Sequence, residues 1–238
     1  LNGISAVLMM KLLMFRNSFG ILMAFHSLSN VGVLAIFLLW VAPTTNAVIG
    51  QLAILFQTLS FHTILFVAVN RFTAISFPAL YRNYFTLRNT VYIIAFISFV
   101  SISYFCVYFH RDCLKEMKSL TLQWKFQQTE CGTIVSFYVD LVYSVALFAV
   151  VTILDLVTLL RLRQARTVIF IRWFQALTNS IAYCFMLISF HFISYQLSGI
   201  ANVLATTIIW EAIHLILSFR TYILARFLFY FLLGLHHI

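Results

Sequence analysis

Long uncharged apolar runs, separated by short polar or basic segments, dominate this chain. Between Arg16 and Arg71 there is no Asp, Glu, Lys or Arg. That run is long enough for two apolar helices of about 20 residues, the length that crosses a bilayer. The segment APTTN at 42–46 contains a proline followed by polar residues, and it predicts the break between the two helices.

The other apolar runs predict further helices in the same way. Together they predict one partial span whose beginning is missing and six full spans, at 1–14, 19–41, 47–71, 90–110, 133–160, 169–195 and 201–219. Residues 220–238 are apolar but short, and they predict a helix lying along the membrane surface. The runs are continuous and lack the two-residue alternation of barrel strands, so they favour a helical bundle that forms a single domain over 1–238.

Composition agrees with a membrane protein. Of the 238 residues, 63% are hydrophobic and 9% are charged. Soluble domains carry about 25% charged residues, so the chain is predicted to be an integral membrane protein surrounded by lipid. A formal charge of +9 would suggest nucleic acid in a soluble chain. Here the basic residues lie between apolar spans, which favours an anionic membrane surface, and no nucleic-acid partner is expected.

Charges between the spans predict the orientation, because cytoplasmic loops collect Lys and Arg. One side carries only basic loop residues: Lys11, Arg16, Arg71, Arg82, Arg88, Arg161, Arg163, Arg166, Arg172, Arg220 and Arg226. On the opposite side basic and acidic residues are mixed: Arg111, Lys115, Lys118, Lys125, Asp112, Glu116 and Glu130. We therefore expect the first side to be cytoplasmic and name it the inner side. The opposite side is named the outer side.

The chain has four cysteines. Cys113 and Cys131 lie at opposite ends of the most polar outer loop, where an oxidising compartment permits a disulfide. We expect this disulfide, which would contribute roughly 3 kcal/mol by the chain-entropy estimate. Two free thiols are the alternative, and a zinc site is a rival that no Cys-x-x-Cys spacing supports. Cys106 and Cys184 lie in apolar helices and are predicted to be small buried hydrophobic residues.

No motif of enzyme chemistry is present. The sequence has no Gly-x-Ser-x-Gly, no His-Glu-x-x-His and no phosphate-binding glycine loop. Asp140 and Asp155 lie on one predicted helix about four turns apart, so they cannot share a water molecule as a protease aspartate pair does. We predict that the protein is not an enzyme and needs no cofactor.

Several segments carry a family resemblance. They are NSFGILMAFHSLSN at 17–30, NRFTAISFPALYRNYF at 70–85, Trp124 with ECG at 130–132, DLVTLLRLR at 155–163 and TTIIWEAIH at 206–214. Together they resemble the nematode serpentine chemoreceptors of class X (Srx), a family of seven-helix G-protein-coupled receptors, over nearly the whole chain. The resemblance implies an all-α membrane fold, a seven-transmembrane helix bundle of rhodopsin-like type, here with its first helix truncated.

The resemblance also implies a function. It implies a chemosensory receptor that binds a small environmental molecule and signals through a heterotrimeric G-protein, in the plasma membrane of a sensory cell. A membrane transporter or channel subunit is the alternative. That class predicts inverted repeats or broken helices at mid-membrane, and the sequence shows no convincing repeat.

By the same resemblance, Asn70, Arg71 and Phe72 occupy the positions of the receptor switch triplet, whose arginine leaves the helix ends to meet the G-protein. A guanidinium at the inner membrane edge needs hydrogen-bond partners, which suits an element with two states. Anchoring of the helix end by snorkelling is the alternative for Arg71. Asn70 replaces an acidic residue, so no local ion-pair lock is expected.

The rest of the expected G-protein coupling surface lies further along the inner side. It comprises the loop 76–88 and the basic end of the fifth span, with Arg161 and Arg163. Pro78 is predicted to break the third helix into that loop. Asp155 is expected to pair with Arg161 or Arg163, or with Arg71 across the bundle, because a carboxylate inside the membrane needs a partner.

Polar residues nearer the outer side are candidates for the ligand pocket. Asp140 is a candidate ligand contact, with pairing to a neighbouring helix as the alternative. Glu211 and His214 share a helix face at i, i+3 and are interpreted as a packing pair, with a pocket role as the alternative. No second such pair exists, so no metal site is predicted. Other histidines beside phenylalanine, His26, His62 and His191, are expected to make helix–helix hydrogen bonds.

Overall fold

The structure is a computed structural model. It describes residues 2–12, 15–40, 47–107, 115–118, 123–126, 129–162 and 181–193, and the single positions 196, 197, 201, 209 and 212. The first five helices are α1 Asn2–Lys11, α2 Ser18–Trp40, α3 Ala47–Ser76, α4 Pro78–Tyr84 and α5 Leu87–Val107. They are followed by strands β1 Lys115–Lys118 and β2 Gln123–Phe126, then by helices α6 Glu130–Ile134, α7 Tyr143–Leu162 and α8 Ile181–Ile193.

Two of the later helices contain π-helical turns. A π-helix at Val135–Val142 joins α6 to α7 without a break, and we name this continuous rod the 130–162 helix. The last turn of α8, Ser189–Ile193, is also π-helical. A π-helix bonds each N–H to the carbonyl five residues back, is rare, and occurs often at functional sites.

Four helices are long and apolar enough to cross a membrane, over Ser18–Ile36, Gln51–Ser76, Leu87–Val107 and Glu130–Arg161. The shorter helix α8 is apolar too. The prediction of a helical, multi-pass membrane protein is confirmed. The predicted seventh span at 201–219 lies almost wholly outside the described residues, and the surface helix at 220–238 lies entirely outside them, so both stay predictions.

A polar residue directly before each of three helices fixes where that helix begins. The Asn17 Oδ1 atom accepts a hydrogen bond from the Gly20 N–H at 2.9 Å, and Thr86 Oγ1 accepts from the Asn89 N–H at 3.3 Å. Thr129 Oγ1 accepts from the Gly132 N–H at 3.0 Å. Such side chains satisfy N–H groups that have no partner in the first turn of a helix.

The inner end of α3 differs from the prediction. The predicted span ends at residue 71, whereas α3 continues to Ser76. Pro78 was predicted to start a loop, but it occupies the first turn of the short helix α4. Proline lacks an N–H and has a fixed φ, so it breaks a helix interior yet suits a first turn. Pro78 therefore ends one helix and begins another.

The outer loop contains two short strands, which an all-α fold does not predict. Strands β1 and β2 pair antiparallel, with Lys115 opposite Phe126 and Met117 opposite Trp124, and β1 contacts α3. Backbone groups of a loop that approaches a helix bundle need hydrogen-bond partners, and a ladder supplies them. Cys131 is disulfide-bonded. Its predicted partner, Cys113, lies outside the described residues, so that pairing stays a prediction.

The centre of the bundle is an apolar cluster contributed by α3, α7 and α8. The Phe61 and Phe148 rings meet edge to face with centroids 4.7 Å apart, and Phe148 stacks on Tyr183, also at 4.7 Å. Each such aromatic pair adds about 0.5–1.5 kcal/mol beyond the area it buries. Helix α3 is therefore the central helix against which the others pack.

Helix α5 lies at the periphery and exposes a face of large apolar side chains, among them Phe96 and Phe99, which is 69% exposed. In a membrane this face contacts lipid. Cys106 on α5 and Cys184 on α8 are exposed thiols, so the prediction that they are buried is wrong. Both the core and the lipid are apolar, so an apolar run does not distinguish an inward from an outward face.

Close packing of α2 on α3 depends on a glycine, Gly32, which has no side chain. A Cβ atom on Gly32 would overlap the ring of Phe56, whereas one on Gly3 in α1 would meet nothing within 4 Å. Small residues let membrane helices approach in this way.

We expect Gly32→Ala to destabilise the bundle by about 1–3 kcal/mol, because the overpacking outweighs the gain in helix propensity of about 1 kcal/mol. The measurement is the unfolding midpoint of the purified protein in detergent. Gly3→Ala is the matched control and should leave the midpoint equal or higher. Equal midpoints for the two variants would contradict the α2–α3 packing.

Candidate functional site

An ion pair joins α3 to α7 at the inner side. Arg71 Nη2 lies 2.9 Å from Asp155 Oδ1 and donates a hydrogen bond to Oδ2 at 3.2 Å. The Arg71 side chain is 31% exposed and that of Asp155 is 10% exposed. Of the partners expected for Asp155, the structure therefore brings Arg71 to it, across the bundle. The pair thus joins α3 to α7, and its two residues lie 84 positions apart in the sequence.

The polar groups around this pair are incompletely satisfied. Within the described part of the chain, Arg71 Nε and the Oγ atoms of Thr158 and Ser76 are buried without a hydrogen-bond partner. Buried polar groups usually find partners, and each exception costs about 1–3 kcal/mol. The inner ends of α3 and α7 thus hold buried polar atoms without hydrogen-bond partners.

The neighbour of Arg71 is held by a separate set of hydrogen bonds. Asn70 is buried, and its Nδ2 donates to Ser18 Oγ at 3.1 Å, linking α3 to α2. Thr90 on α5 donates to the same Ser18 Oγ at 2.6 Å. This triad joins three helices at one depth. It links the inner end of α3, beside Arg71, to α2 and α5 through uncharged groups.

The other residues predicted on the inner side lie around this point. The Phe72 ring packs edge to face on Phe77 with centroids 5.9 Å apart, at the junction between α3 and α4. Pro78 follows in the first turn of α4, and Arg161 lies in the last turn of α7. Arg163 lies outside the described residues. The structure therefore brings Arg71 and Asp155 together. Asn70 and Phe72 are the neighbours of Arg71 along α3, and Pro78 lies in the next helix.

Nearer the outer side, the two π-helical segments face one another. Asp140, in the π-helix at 135–142, has its Oδ2 3.8 Å from Nε2 of His191, in the π-helical turn of α8. Asp140 is 22% exposed and His191 only 6%. Asp140 therefore pairs with a neighbouring helix, and its carboxylate stays partly accessible. Glu211 and His214, the other pocket candidates, lie outside the described residues.

His62 on the central helix α3 contacts Tyr143, the residue that directly follows the π-helix at 135–142. Its Nδ1 lies 2.8 Å from the Thr58 carbonyl oxygen, and its Nε2 lies 2.5 Å from the Tyr143 hydroxyl. If the ring proton is on Nδ1 and bonds the carbonyl, Nε2 accepts from Tyr143. Tyr104 donates to the carbonyl of Val139 at 2.8 Å, inside the π-helix. These bonds hold a helix segment whose own ladder is irregular.

A second histidine joins α2 to α3. His26 lies 3.2 Å from both Asn30 Nδ2 and Ser60 Oγ, and Ser60 donates to Asn30 Oδ1 at 2.8 Å. The expected helix–helix role of His26 and His62 is confirmed by these contacts, and His191 pairs across helices as well. The partners Ser60, Asn30 and Tyr143 were not predicted. The polar spacing of Asn30 behind His26 at i, i+4 was the available signal.

Comparison with known proteins gives two findings. The family described as "Serpentine type 7TM GPCR chemoreceptor Srx" matches residues 1–223. A Caenorhabditis elegans protein, "Serpentine receptor class X 45", is 29% identical over 124 residues, which cover 47% of this chain and 34% of the relative. The matched part of the chain thus spans about a third of that relative's length.

Proposed function

Because the chain belongs to the family of serpentine type 7TM GPCR chemoreceptors, Srx, we propose that it detects a small environmental molecule and activates a heterotrimeric G-protein. The family is one of receptors, and the chain is a multi-pass membrane protein. The proposed place of action is the plasma membrane of a sensory cell. The proposal includes two sites, a ligand site toward the outer side and a coupling site at the inner side.

The observation that carries the proposal is the Arg71–Asp155 pair at the inner end of the bundle. A charged pair within membrane helices costs free energy, and such residues often mark a functional site. Here the Arg71 side chain is about one-third exposed, and its buried Nε lacks a partner among the described residues. Arg71 can therefore leave Asp155 for acceptors on a G-protein, which makes the pair a two-state element.

The proposed coupling surface surrounds this pair. Asn70 holds α3 in place, Phe72 packs over the start of α4, and Pro78 sets the direction of α4. Arg161 and Arg163 add positive charge at the inner end of α7. A basic surface attracts an acidic partner surface.

The proposed ligand site lies toward the outer side, around Asp140, with Glu211 and His214 as further candidates. Asp140 and Asp155 lie on the same 130–162 helix, about four turns or roughly 22 Å apart. A ligand that competes for Asp140 would change the contacts of the π-helix, which is the irregular part of that rod. If the π-helix tightens toward α-helical bonding, the rod below it rotates, and Asp155 moves relative to Arg71.

A cell assay tests this proposal. The chain is expressed with Gα and Gβγ subunits that report their separation by resonance energy transfer, and a panel of volatile and water-soluble small organic molecules is applied. We expect at least one stimulus to separate the subunits. Arg71→Ala should lower that response at least about tenfold, since removal of a charge-assisted contact costs about 1.5–3 kcal/mol.

Arg16→Ala is the control, because Arg16 is an exposed basic residue on the same inner side and is not part of the pair. Surface expression of both variants is measured alongside. A full response from a normally trafficked Arg71→Ala variant would refute the switch role. Stimulus-evoked current in purified, reconstituted protein without G-protein would support the channel alternative instead.

A further inference from the structure

The short helix α4 carries an exposed apolar stripe. Phe77, directly before the helix, is followed by Leu80, Tyr81 and Tyr84 at spacings of three, four and seven residues, which places all four on one face. A stripe with this spacing normally packs on a core. Here α4 has no buried residue, and Phe77, Leu80 and Tyr84 are 49%, 47% and 64% exposed. Within the described structure, the bundle does not cover this face.

The stripe continues into a surface that faces lipid. Leu87, Val91 and Tyr92 at the beginning of α5 are all more than half exposed, and they lead into the lipid-facing side of that helix. The direction of α4 is fixed relative to α5, because Asn89 Nδ2 donates to the carbonyl oxygen of Tyr84 at 3.0 Å. The apolar face of α4 is therefore held as an extension of the membrane-facing surface.

Two arginines border this surface. Arg82 lies on α4 away from the stripe, and Arg88 lies at the start of α5, where its Nε donates to the Tyr92 hydroxyl at 3.2 Å and its guanidinium lies 5.7 Å from the ring centroid. No acidic residue occurs anywhere before Asp112. An apolar face bordered by basic and aromatic residues is the composition of helices that lie in a membrane interface.

We propose that α4 lies in the interface of the inner membrane leaflet and that Arg82 and Arg88 bind the headgroups of anionic phospholipids there. The apolar stripe enters the boundary between headgroups and acyl chains, and the guanidinium groups reach the phosphates above it. Guanidinium groups suit phosphate because they donate two parallel hydrogen bonds. Helix α4 begins two residues after the end of α3, so bound lipid would restrain the inner end of the helix that carries Arg71.

Charge and continuity favour lipid over a protein partner for this face. The stripe is continuous with the face of α5 that contacts lipid. A protein docked on the stripe would therefore have to enter the membrane interface. Pro78, in the first turn of α4 and outside the stripe, stays free for the G-protein surface proposed above. A lipid-bound α4 is thus compatible with coupling, and the proposal concerns a different face of the helix.

Native mass spectrometry of the purified chain tests this proposal. The protein in detergent is titrated with phosphatidylserine or with phosphatidylcholine of the same acyl chains, and the dissociation constant of the first bound lipid is measured. We expect tighter binding of phosphatidylserine. Arg82→Gln with Arg88→Gln should weaken that binding at least about tenfold, since each basic residue near an anionic surface contributes about fivefold. Leu80→Gln with Tyr84→Gln should weaken binding of both lipids.

Lys11→Gln with Arg16→Gln is the matched control, because it removes two exposed basic residues from the inner side without touching α4. It should leave the phosphatidylserine preference unchanged. Equal affinity of the wild-type protein for the two lipids would overturn the proposal, and this comparison needs no variant to fold. An unchanged preference in the Arg82/Arg88 variant would overturn it too, as would an equal loss in the control. If the Arg82/Arg88 variant loses only G-protein activation, the surface binds protein instead.

Discussion

Asp155→Asn is expected to raise ligand-independent G-protein activation about five- to thirty-fold. The substitution keeps the size of the side chain and removes the charge that holds Arg71 at 2.9 Å. The Asp155 side chain is mostly buried and the Arg71 side chain is partly exposed. Breaking the pair should therefore cost the state that contains it about 1–2 kcal/mol, between the values for surface pairs and for buried pairs. A cost of that size raises the population of the state in which Arg71 is not paired with Asp155 by about five- to thirty-fold.

The measurement is the basal energy-transfer signal between Gα and Gβγ, normalised to the amount of receptor at the cell surface. Glu130→Gln is the matched control, because it also neutralises a carboxylate on the 130–162 helix, at an exposed position in its first turn and away from Arg71. It should leave basal activation near the wild-type level. Arg71→Ala combined with Asp155→Asn should be as inactive as Arg71→Ala alone. Lower basal activation in Asp155→Asn would mean that the pair belongs to the active state.

The place of Arg71 near the end of a helix could be predicted from the sequence, but the partner of its guanidinium could not be chosen. The charge-free run that ends at Arg71 and the residues around it predicted an inner helix end. Asp155 had three possible partners, because a helix sequence does not give the rotation of one apolar helix against another. In a soluble bundle the apolar face would point to the core. Here every face is apolar, and the polar contact itself sets the rotation.

The π-helical segments and the His62 contacts could not be predicted for a related reason. Nothing in VSFYVDLV distinguishes a π-helix from an α-helix, since the extra residue is accommodated by partners on other helices. Those partners include Tyr104, which bonds the Val139 carbonyl, and His62, which bonds Tyr143 at the end of the segment. The side chains that hold Asp140 in place belong to helices far away in sequence. Only the assembled bundle defines them.

Helix α4 is a different case, because the information was present in FPALYRNYF and was interpreted wrongly. The apolar spacing of three and four residues there is helical. Pro78 suggested the start of a loop, since proline usually marks the end of a helix. Proline marks a beginning equally well when an N–H is not needed, as in a first turn. The pattern after a proline therefore decides between loop and helix.

The central aromatic cluster gives the other large expected effect, and it tests the arrangement of the helices directly. Phe148→Ala should destabilise the protein by about 3–5 kcal/mol, because it removes a ring packed between Phe61 and Tyr183 and leaves a cavity. The measurement is the temperature at which half of the purified protein is lost from the monodisperse peak on size-exclusion chromatography. A loss of this size should also lower expression at the cell surface.

Phe99→Ala is the matched control, since the same atoms are removed from a side chain that is 69% exposed on α5. In detergent or lipid this ring has apolar surroundings in the folded and in the unfolded state, so its removal should change the midpoint little. Phe148→Ala therefore measures packing between helices rather than transfer out of water. If Phe99→Ala proves the more damaging variant, the α5 face assigned to lipid is a helix contact, and the central position of Phe148 between α3 and α8 is wrong.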